Sequence, residues 1–128
     1  RTRHHDDLPR GTRDRLERDV LGPHPWFQVL VAEAEGSLVG YAASLPLARM
    51  GYGERGLDLH HLFVTEVARG RGIGAALVRA CEALARDLGC GYLIIGTHPG
   101  NRAAQAFYQA LGYGQMPNTS VRFTRGLK

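Results

Sequence analysis

The sequence predicts an α/β protein of the α+β type, a mixed central sheet that contains a βαβ unit and carries flanking helices. Three observations predict it. Short apolar stretches read as strands, stretches with apolar residues at three-four spacing read as helices, and the two kinds interleave as α, β, β, β, α, β, α, β. In the middle of that order a strand, a glycine turn, a helix and another strand follow one another, which requires a parallel pair. Glycines stand where the helices should stop.

Each element rests on its own residues. "TRDRLERDVLG" reads as a short helix with Leu16, Val20 and Leu21 on one face, Thr12 or Asp14 as its cap and Gly22-Pro23 as its stop. "FQVLVAEAEGSLVGYAASL" shows two β-type runs around Glu35-Gly36-Ser37 and predicts a hairpin. Residues 49–56, with three glycines, read as a loop or strand end. "LDLHHLFV", residues 57–64, is apolar enough for the centre of a sheet. From Ile73 onward Leu77, Val78, Cys81, Leu84, Ala85 and Leu88 recur as on an amphipathic helix, which Gly89 ends. "YLIIG", residues 92–96, is a short strand. Over residues 101–111, Ala104, Phe107, Tyr108 and Leu111 share a helical face, with Asn101 as N-cap and Gly112 as the stop. "SVRFTRGL" reads as a last strand at the sheet edge.

A length of 128 residues suits one domain, residues 1–128, and 44% hydrophobic with 22% charged residues is a globular composition. No apolar run approaches the roughly 18 residues of a membrane span, and "RTRHHDD" is no signal peptide, so a cytoplasmic protein with no membrane partner is expected. Cys81 and Cys90 form neither a CxxC pair nor a disulfide framework; they read as reduced thiols, and no metal site is predicted. A net charge of +4 and a pI near 9.5 suit an anionic partner. The N-terminal arginines alternate with Asp6, Asp7, Asp14, Glu17 and Asp19, however, which argues against a nucleic-acid arm and leaves the excess to a small polyanion or to solubility.

"ARGRGIGAAL", residues 68–77, is where an anion would bind. A turn between a strand and a helix leaves the first helical N–H groups unpaired, and the helix dipole concentrates positive charge there. Gly70, Gly72 and Gly74 would let the backbone approach a ligand and adopt positive φ, and Arg69 and Arg71 would add charge-assisted hydrogen bonds. A Walker loop would end in Gly-Lys-Ser/Thr, and a Rossmann turn would read G-x-G-x-x-G; the spacing here is G-x-G-x-G.

The pattern R/Q-x-x-G-x-G/A is matched by Arg69-Gly70-Arg71-Gly72-Ile73-Gly74 directly downstream of the strand that ends in "LFV". A second pattern, N-x-x-A-x-x-F-Y-x-x-x-G-[FY], is matched by Asn101, Ala104, Phe107, Tyr108, Gly112 and Tyr113. The two in this order, with a strand between them, resemble the GNAT superfamily of N-acyltransferases. "GPHPWFQVLVAEAEGSLVGYA" and "LDLHHLFV" look most like its diamine/spermidine (thialysine-type) N-acetyltransferase branch. The resemblance runs from about residue 7 and lacks the strand and helix with which family members open, so a GNAT fold without them is expected.

The resemblance implies an acyl-CoA-dependent N-acetyltransferase that moves an acetyl group from acetyl-CoA to a primary amine of a small molecule. Direct attack in a ternary complex is expected, since no cysteine or serine falls inside either motif. Leu62, Phe63 and Val64 would pair their backbone with the pantetheine arm where two parallel strands splay. Arg69 and the run Gly70, Arg71, Gly72, Ile73, Gly74 and Ala75 would hold the pyrophosphate. Asn101 and Ala104 would contact the cosubstrate, and Tyr108 would protonate the departing thiolate. His60 and His61 replace two acidic residues of the polyamine branch, which makes spermidine a poor fit. Strand alternation turns one of the two toward the cleft, and the resemblance favours His60 as the base; His60, His61 and His98 would line the acceptor site. A homodimer follows by family analogy. A CoA-binding sensor module without catalysis is the alternative, and a nucleic-acid-binding domain would rest on pI alone.

Overall fold

The computed structural model describes Arg15, Arg18, residues 20–117 and residues 120–127. Its contacts divide the chain into two compact units, Arg1–Gly96 and Thr97–Lys128. Among the described residues, no helix is long and apolar enough to cross a membrane.

The first unit is built on a four-stranded sheet in the order β1-β2-β3-β4, with β1 at Gln28–Ala34, β2 at Ser37–Arg49, β3 at Glu54–Val64 and β4 at Tyr92–Ile95. β1 and β2 form the expected hairpin, turning at Glu35 and Gly36, whose φ values of 52° and 80° suit the right-handed twist of the strands. β2 and β3 are also antiparallel. Helix α1, Ile73–Asp87, then carries the chain across the sheet so that β4 lies parallel to β3, as the βαβ order requires. Between β2 and β3 the glycine-rich segment is shorter than a loop: one 3₁₀ turn, Met50–Tyr52, and Gly53 at φ 60° suffice, and β3 starts at Glu54, ahead of Leu57. Arg49 clasps that end of the sheet, 4.1 Å above the Tyr92 ring and 3.3 Å from the Glu54 carboxylate.

Arg15, Arg18, Val20 and Leu21 are helical, and the Gly22 amide donates to the Arg18 carbonyl at 3.1 Å where that helix stops. The caps read from sequence, Thr12 and Asp14, and the facing Leu16 lie outside the described residues.

The core sits between α1 and one face of the sheet. Leu77, Val78, Cys81 and Ala85 form the buried stripe of α1, and Ala42, Leu57 and Leu59 are buried with them. Each fully buried leucine or valine contributes about 1.5–3 kcal/mol. Both cysteines are free, and burial, with Glu82 adding to it, raises the Cys81 thiol pKa and keeps it unreactive. Gly89, at φ 79°, ends α1 while the Cys90 amide bonds the Ala85 carbonyl at 2.8 Å.

Gly40 fixes which face is which. A Cβ there would stand 2.7 Å from the Phe63 carbonyl oxygen and 3.3 Å from Leu77 Cδ1, so Gly40, Ala42 and Ser44 face α1 and Tyr41 and Ala43 face away. The β2/β3 register shifts once: Ala43 pairs with His61 and Ser44 with Leu59, which leaves His60 as the extra residue of a bulge in β3.

In the second unit, α2 spans Arg102–Ala110. Asn101 caps it, Oδ1 accepting from the Ala104 amide at 3.0 Å, and Gly112 ends it at φ 98°. The expected strand "SVRFTRGL" is not formed: residues 120–127 carry no strand pairing, and Val121, Phe123 and Leu127 are 83%, 92% and 88% exposed. β-type alternation needs a partner to become a strand, and the described residues of this unit contain no other strand to pair with.

Gly40→Ala is expected to cost about 1–3 kcal/mol, because its methyl group would meet ladder backbone rather than a side chain able to turn aside. Urea denaturation reads this directly, and an unshifted midpoint would refute the packing of α1 on β2 described above.

Candidate active site

The parallel ladder between β3 and β4 covers only Gly56↔Tyr92 to Leu59↔Ile95. β3 runs on to Val64, so from His60 onward β4 gives it no partner, while on its other side β2 stays paired as far as Gly40↔Val64. The resemblance expects two parallel strands to splay beside Leu62, Phe63 and Val64; here the ladder ends at Leu59↔Ile95, where β4 itself ends. All three are half-buried.

Past Val64 the chain makes one 3₁₀ turn, Glu66–Ala68, and enters the glycine segment. Gly70 and Gly72 have φ of 82° and 80°, and a Cβ on either would meet nothing within 4 Å, so conformation and not crowding calls for glycine there. Gly74 differs from the expectation: it is the second residue of α1, where the helix requires negative φ. Gly72 is the N-cap of α1 and has no side chain to cap it. The first intrahelical bond runs from the Ala76 amide to the Gly72 carbonyl at 3.0 Å, leaving the N–H groups of Ile73, Gly74 and Ala75 without an acceptor among the described residues. Arg69 is not simply a free cation, since its Nε–H donates to the Val64 carbonyl at 3.1 Å and ties the turn to the end of β3. Arg71 is exposed. Thr65, between strand and turn, has a buried hydroxyl with no partner among the described residues. Three unpaired amides, two guanidinium groups and open space above two glycines fit a phosphorylated ligand.

The two histidines are arranged otherwise than alternation predicts. His60 sits 5.8 Å from the Phe27 ring, centroid to centroid, and His61 5.4 Å from the Tyr41 ring, edge-on. Tyr41 lies on the sheet face away from α1, and Phe27 stands in phase with Val29 and Val31, which oppose Ala43 and Tyr41 on that face. The bulge at His60 has cancelled the alternation, so both imidazoles lie on the face away from α1. Both are exposed.

Sequence reasoning missed three residues here. Tyr41 Oη lies 3.0 Å from His61 Nδ1 in a hydrogen bond, and its ring is 5.8 Å from that of Phe63. Asp58, opposite Leu45, shares the face with the histidines and returns one carboxylate to a surface that seemed to have lost its acids. Thr65 is the third. The alternating pattern of β2 was a usable signal for Tyr41, but its partner depends on a register that the bulge shifts.

In the second unit, His98 Nδ1 accepts from the Gly100 amide at 3.0 Å, so the neutral ring carries its proton on Nε2 and serves as a donor. Gln105 Nε2 donates to the Pro99 carbonyl at 2.8 Å and steadies the same loop. Tyr108 is half-buried beside Phe107, with ring centroids 5.2 Å apart. Burial raises its phenol above the ordinary tyrosine range, as it does that of Tyr41.

The profile of the acetyltransferase (GNAT) family matches residues 2–113. The chain belongs to the GNAT acetyltransferase family. Human N-acetyltransferase 8 is 40% identical over 83 residues, covering 65% of this chain and 37% of that protein. The L-methionine sulfoximine/L-methionine sulfone acetyltransferase of Pseudomonas aeruginosa is 34% identical over 121 residues, covering 85% of this chain and 70% of that enzyme. This GNAT chain thus spans 37% of the human relative and 42% of a mouse relative, probable N-acetyltransferase family 8 member 5. Among solved structures, the aminoglycoside N-acetyltransferase AAC(6')-Iy in complex with CoA has a TM-score of 0.72 at 23% identity, covering 98% of this chain and 97% of that one. An integron cassette protein from the mobile metagenome of V. cholerae reaches 0.78 at 22% identity, covering 97% and 79%. These likenesses show the GNAT fold.

Because burial raises its pKa, Tyr108 is expected to titrate later than an exposed tyrosine, and the difference ultraviolet titration between wild type and Tyr108→Phe should have its midpoint above 10. The sign for stability follows: the contribution is complete below the unfolded-state pKa and is lost as pH rises through the folded value. A midpoint at or below 10 would refute the burial of Tyr108. Separately, Asn101→Ala should cost about 1 kcal/mol through the lost cap. An unchanged unfolding midpoint for that variant would refute the cap.

Proposed function

We propose that the chain is an acyl-CoA-dependent N-acetyltransferase that moves the acetyl group of acetyl-CoA to a primary amine of a small molecule by direct attack. One conjunction carries the reading: β3 loses β4 as its partner ahead of a helix whose first amides have no acceptor among the described residues. A ligand with both amide groups and a diphosphate suits both features at once.

The backbone of Leu62, Phe63 and Val64 would pair with the pantetheine arm, as an added strand does. Arg69, Gly70, Arg71, Gly72, Ile73, Gly74 and Ala75 would surround the diphosphate, the amides of Ile73, Gly74 and Ala75 as donors. Asn101 caps its helix, and a contact from it or from Ala104 to the cosubstrate would come in addition. Tyr108, kept neutral by burial, would give its proton to the CoA sulfur as the thioester breaks. With a thiol near 8.5 and a tyrosine near 10, that transfer is uphill by about 2 kcal/mol in water, which a positioned donor tolerates because charge on sulfur develops gradually.

For the acceptor, the likeness to the diamine branch supports a small primary amine, and the Pseudomonas relative is named for compounds of amino-acid type. His60, His61 and Asp58 present one carboxylate, too few to hold a polycation, so a monoamine fits better than spermidine. Family analogy adds a homodimer; residues 1–128 as one catalytic domain and a cytoplasmic place, where two free cysteines stay reduced, complete the reading. A CoA-binding module without catalysis is the weaker reading, because Tyr108 stands in its motif and the relatives are named as acetyltransferases.

Calorimetry of the folded chain should register CoA and acetyl-CoA, and no heat of binding from either would remove the basis of the reading. Tyr108→Phe should lower turnover about 10²-fold or more with nearly unchanged CoA affinity. Turnover that survives the change would take Tyr108 out of the mechanism.

A further inference from the structure

The geometry points to Tyr41 as the residue that positions His61, and to His61, so held, as the group that takes the proton of the attacking amine. This rests on the acetyl-transfer reading above and names the proton acceptor that sequence alone assigned to His60.

The two histidines share a face but not a degree of restraint. His61 is joined to Tyr41 by a 3.0 Å hydrogen bond at Nδ1 and by an edge-on ring contact. Tyr41 is itself firmly set: its backbone is laddered to Val31 on one side and Phe63 on the other, and its ring packs on that of Phe63. His60 is the extra residue of the bulge, opposite no residue of β2. Its ring contact is to Phe27, ahead of the first residue of β1, and among the described residues it has no hydrogen-bond partner. A ring that must receive a proton along one direction is better served by the first arrangement.

The bond has two forms, Tyr41 Oη donating to Nδ1 or accepting from it, and a base acting at Nε2 requires the second, with Nδ1–H donating to Tyr41 Oη and the lone pair of the neutral ring on Nε2. Burial keeps the Tyr41 phenol neutral well past physiological pH, so the acceptor is constant. In the reaction, the ammonium passes one proton to His61 Nε2 and gives an imidazolium. The freed lone pair forms the N–C bond to the thioester carbonyl, the C–S bond breaks, and the sulfur takes the proton of the Tyr108 hydroxyl. The nitrogen sheds its second proton, which restores Tyr108 by way of solvent, and the imidazolium releases its own proton to solvent.

The test is ¹⁵N NMR of the histidine rings in the full chain, combined with kinetics using acetyl-CoA and a panel of small monoamines. In the wild type, neutral His61 should be protonated at Nδ1 and bare at Nε2; protonation at Nε2 instead overturns the proposal without recourse to any variant. Tyr41→Phe should mix the two tautomers and lower kcat about tenfold with the KM for acetyl-CoA unchanged. A parallel rise in that KM, or an unaltered spectrum, would show Tyr41 to be structural only and overturn its positioning role. His61→Gln should lose at least tenfold more kcat than His60→Gln, and the reverse order returns the base to His60. A folded wild type that binds CoA but acetylates no amine overturns the acetyl-transfer reading and the proton role with it. The tautomer spectrum would then still decide whether Tyr41 holds His61.

Discussion

Five residues of β3, His60 to Val64, continue past the point where β4 leaves the sheet, and the rest of the molecule is arranged around that departure. A strand with one edge abandoned is a template for another strand, and a ligand with amide groups can take that place. The abandonment has a local cause. β4 is only four residues long, and it enters beside Gly56, at the far end of β3 from the glycine turn. Tyr92 lies where a Gly56 side chain would be, and Arg49 covers the Tyr92 ring, so the register of the short strand is pinned at its start. Pairing therefore runs out at Leu59, and the uncovered stretch leads directly toward the uncapped amides of α1.

The same strand must hold its helix in place, and here the two faces of the sheet divide the work. Toward α1 it shows Leu57 and Leu59, buried to 0% and 1% exposure, with Gly40 and Ala42 of β2 allowing the helix close. Were that face looser, the first turn of α1 would not stay in line with the end of β3, and amides and strand edge could not serve the one ligand proposed for them. Away from α1 the sheet shows Tyr41, Asp58, His60, His61 and Phe63, a surface rich in aromatic rings and ionisable groups. The bulge at His60 gives the two histidines to the second face without disturbing the leucines on the first. A plain strand would have sent one histidine into the core.

The fold was largely legible in the sequence because its signals are local. Glu35-Gly36 marks a hairpin by turn chemistry, the three-four spacing from Ile73 marks α1, and Gly89 and Gly112 mark helix ends by the positive φ they adopt. What the sequence hid is set by pairing between distant segments. Nothing in "LDLHHLFV" announces an extra residue, since a bulge is defined by what lies opposite, here Ala43 and Ser44. For the same reason Tyr41 went unremarked, although its hydrogen bond bridges 20 positions of chain to the histidine beside it. The segment "SVRFTRGL" shows the converse: alternation alone is no strand where no described partner is within its unit. The glycine turn fell between these cases, with Gly70 and Gly72 adopting the expected positive φ and Gly74 the negative φ of the helix that holds it.

Arg69 shows why a motif residue can be read correctly and still be understood only in part. As a sequence letter it is a cation beside a phosphate site. In the structure its Nε–H is spent on the Val64 carbonyl, the last acceptor of β3, so the residue closes the turn before it can serve a ligand. The two tasks are compatible because a guanidinium is planar and forked: Nε–H can face the strand while the terminal nitrogens face outward, which the single ammonium of a lysine cannot do. The bond also brings positive charge to the end of the open edge, close in sequence to the unpaired amides of Ile73, Gly74 and Ala75. In the CoA site proposed here, strand edge, helix start and guanidinium would act as one device, and the carbonyl of Val64, which accepts from Arg69, is the atom that joins turn to strand.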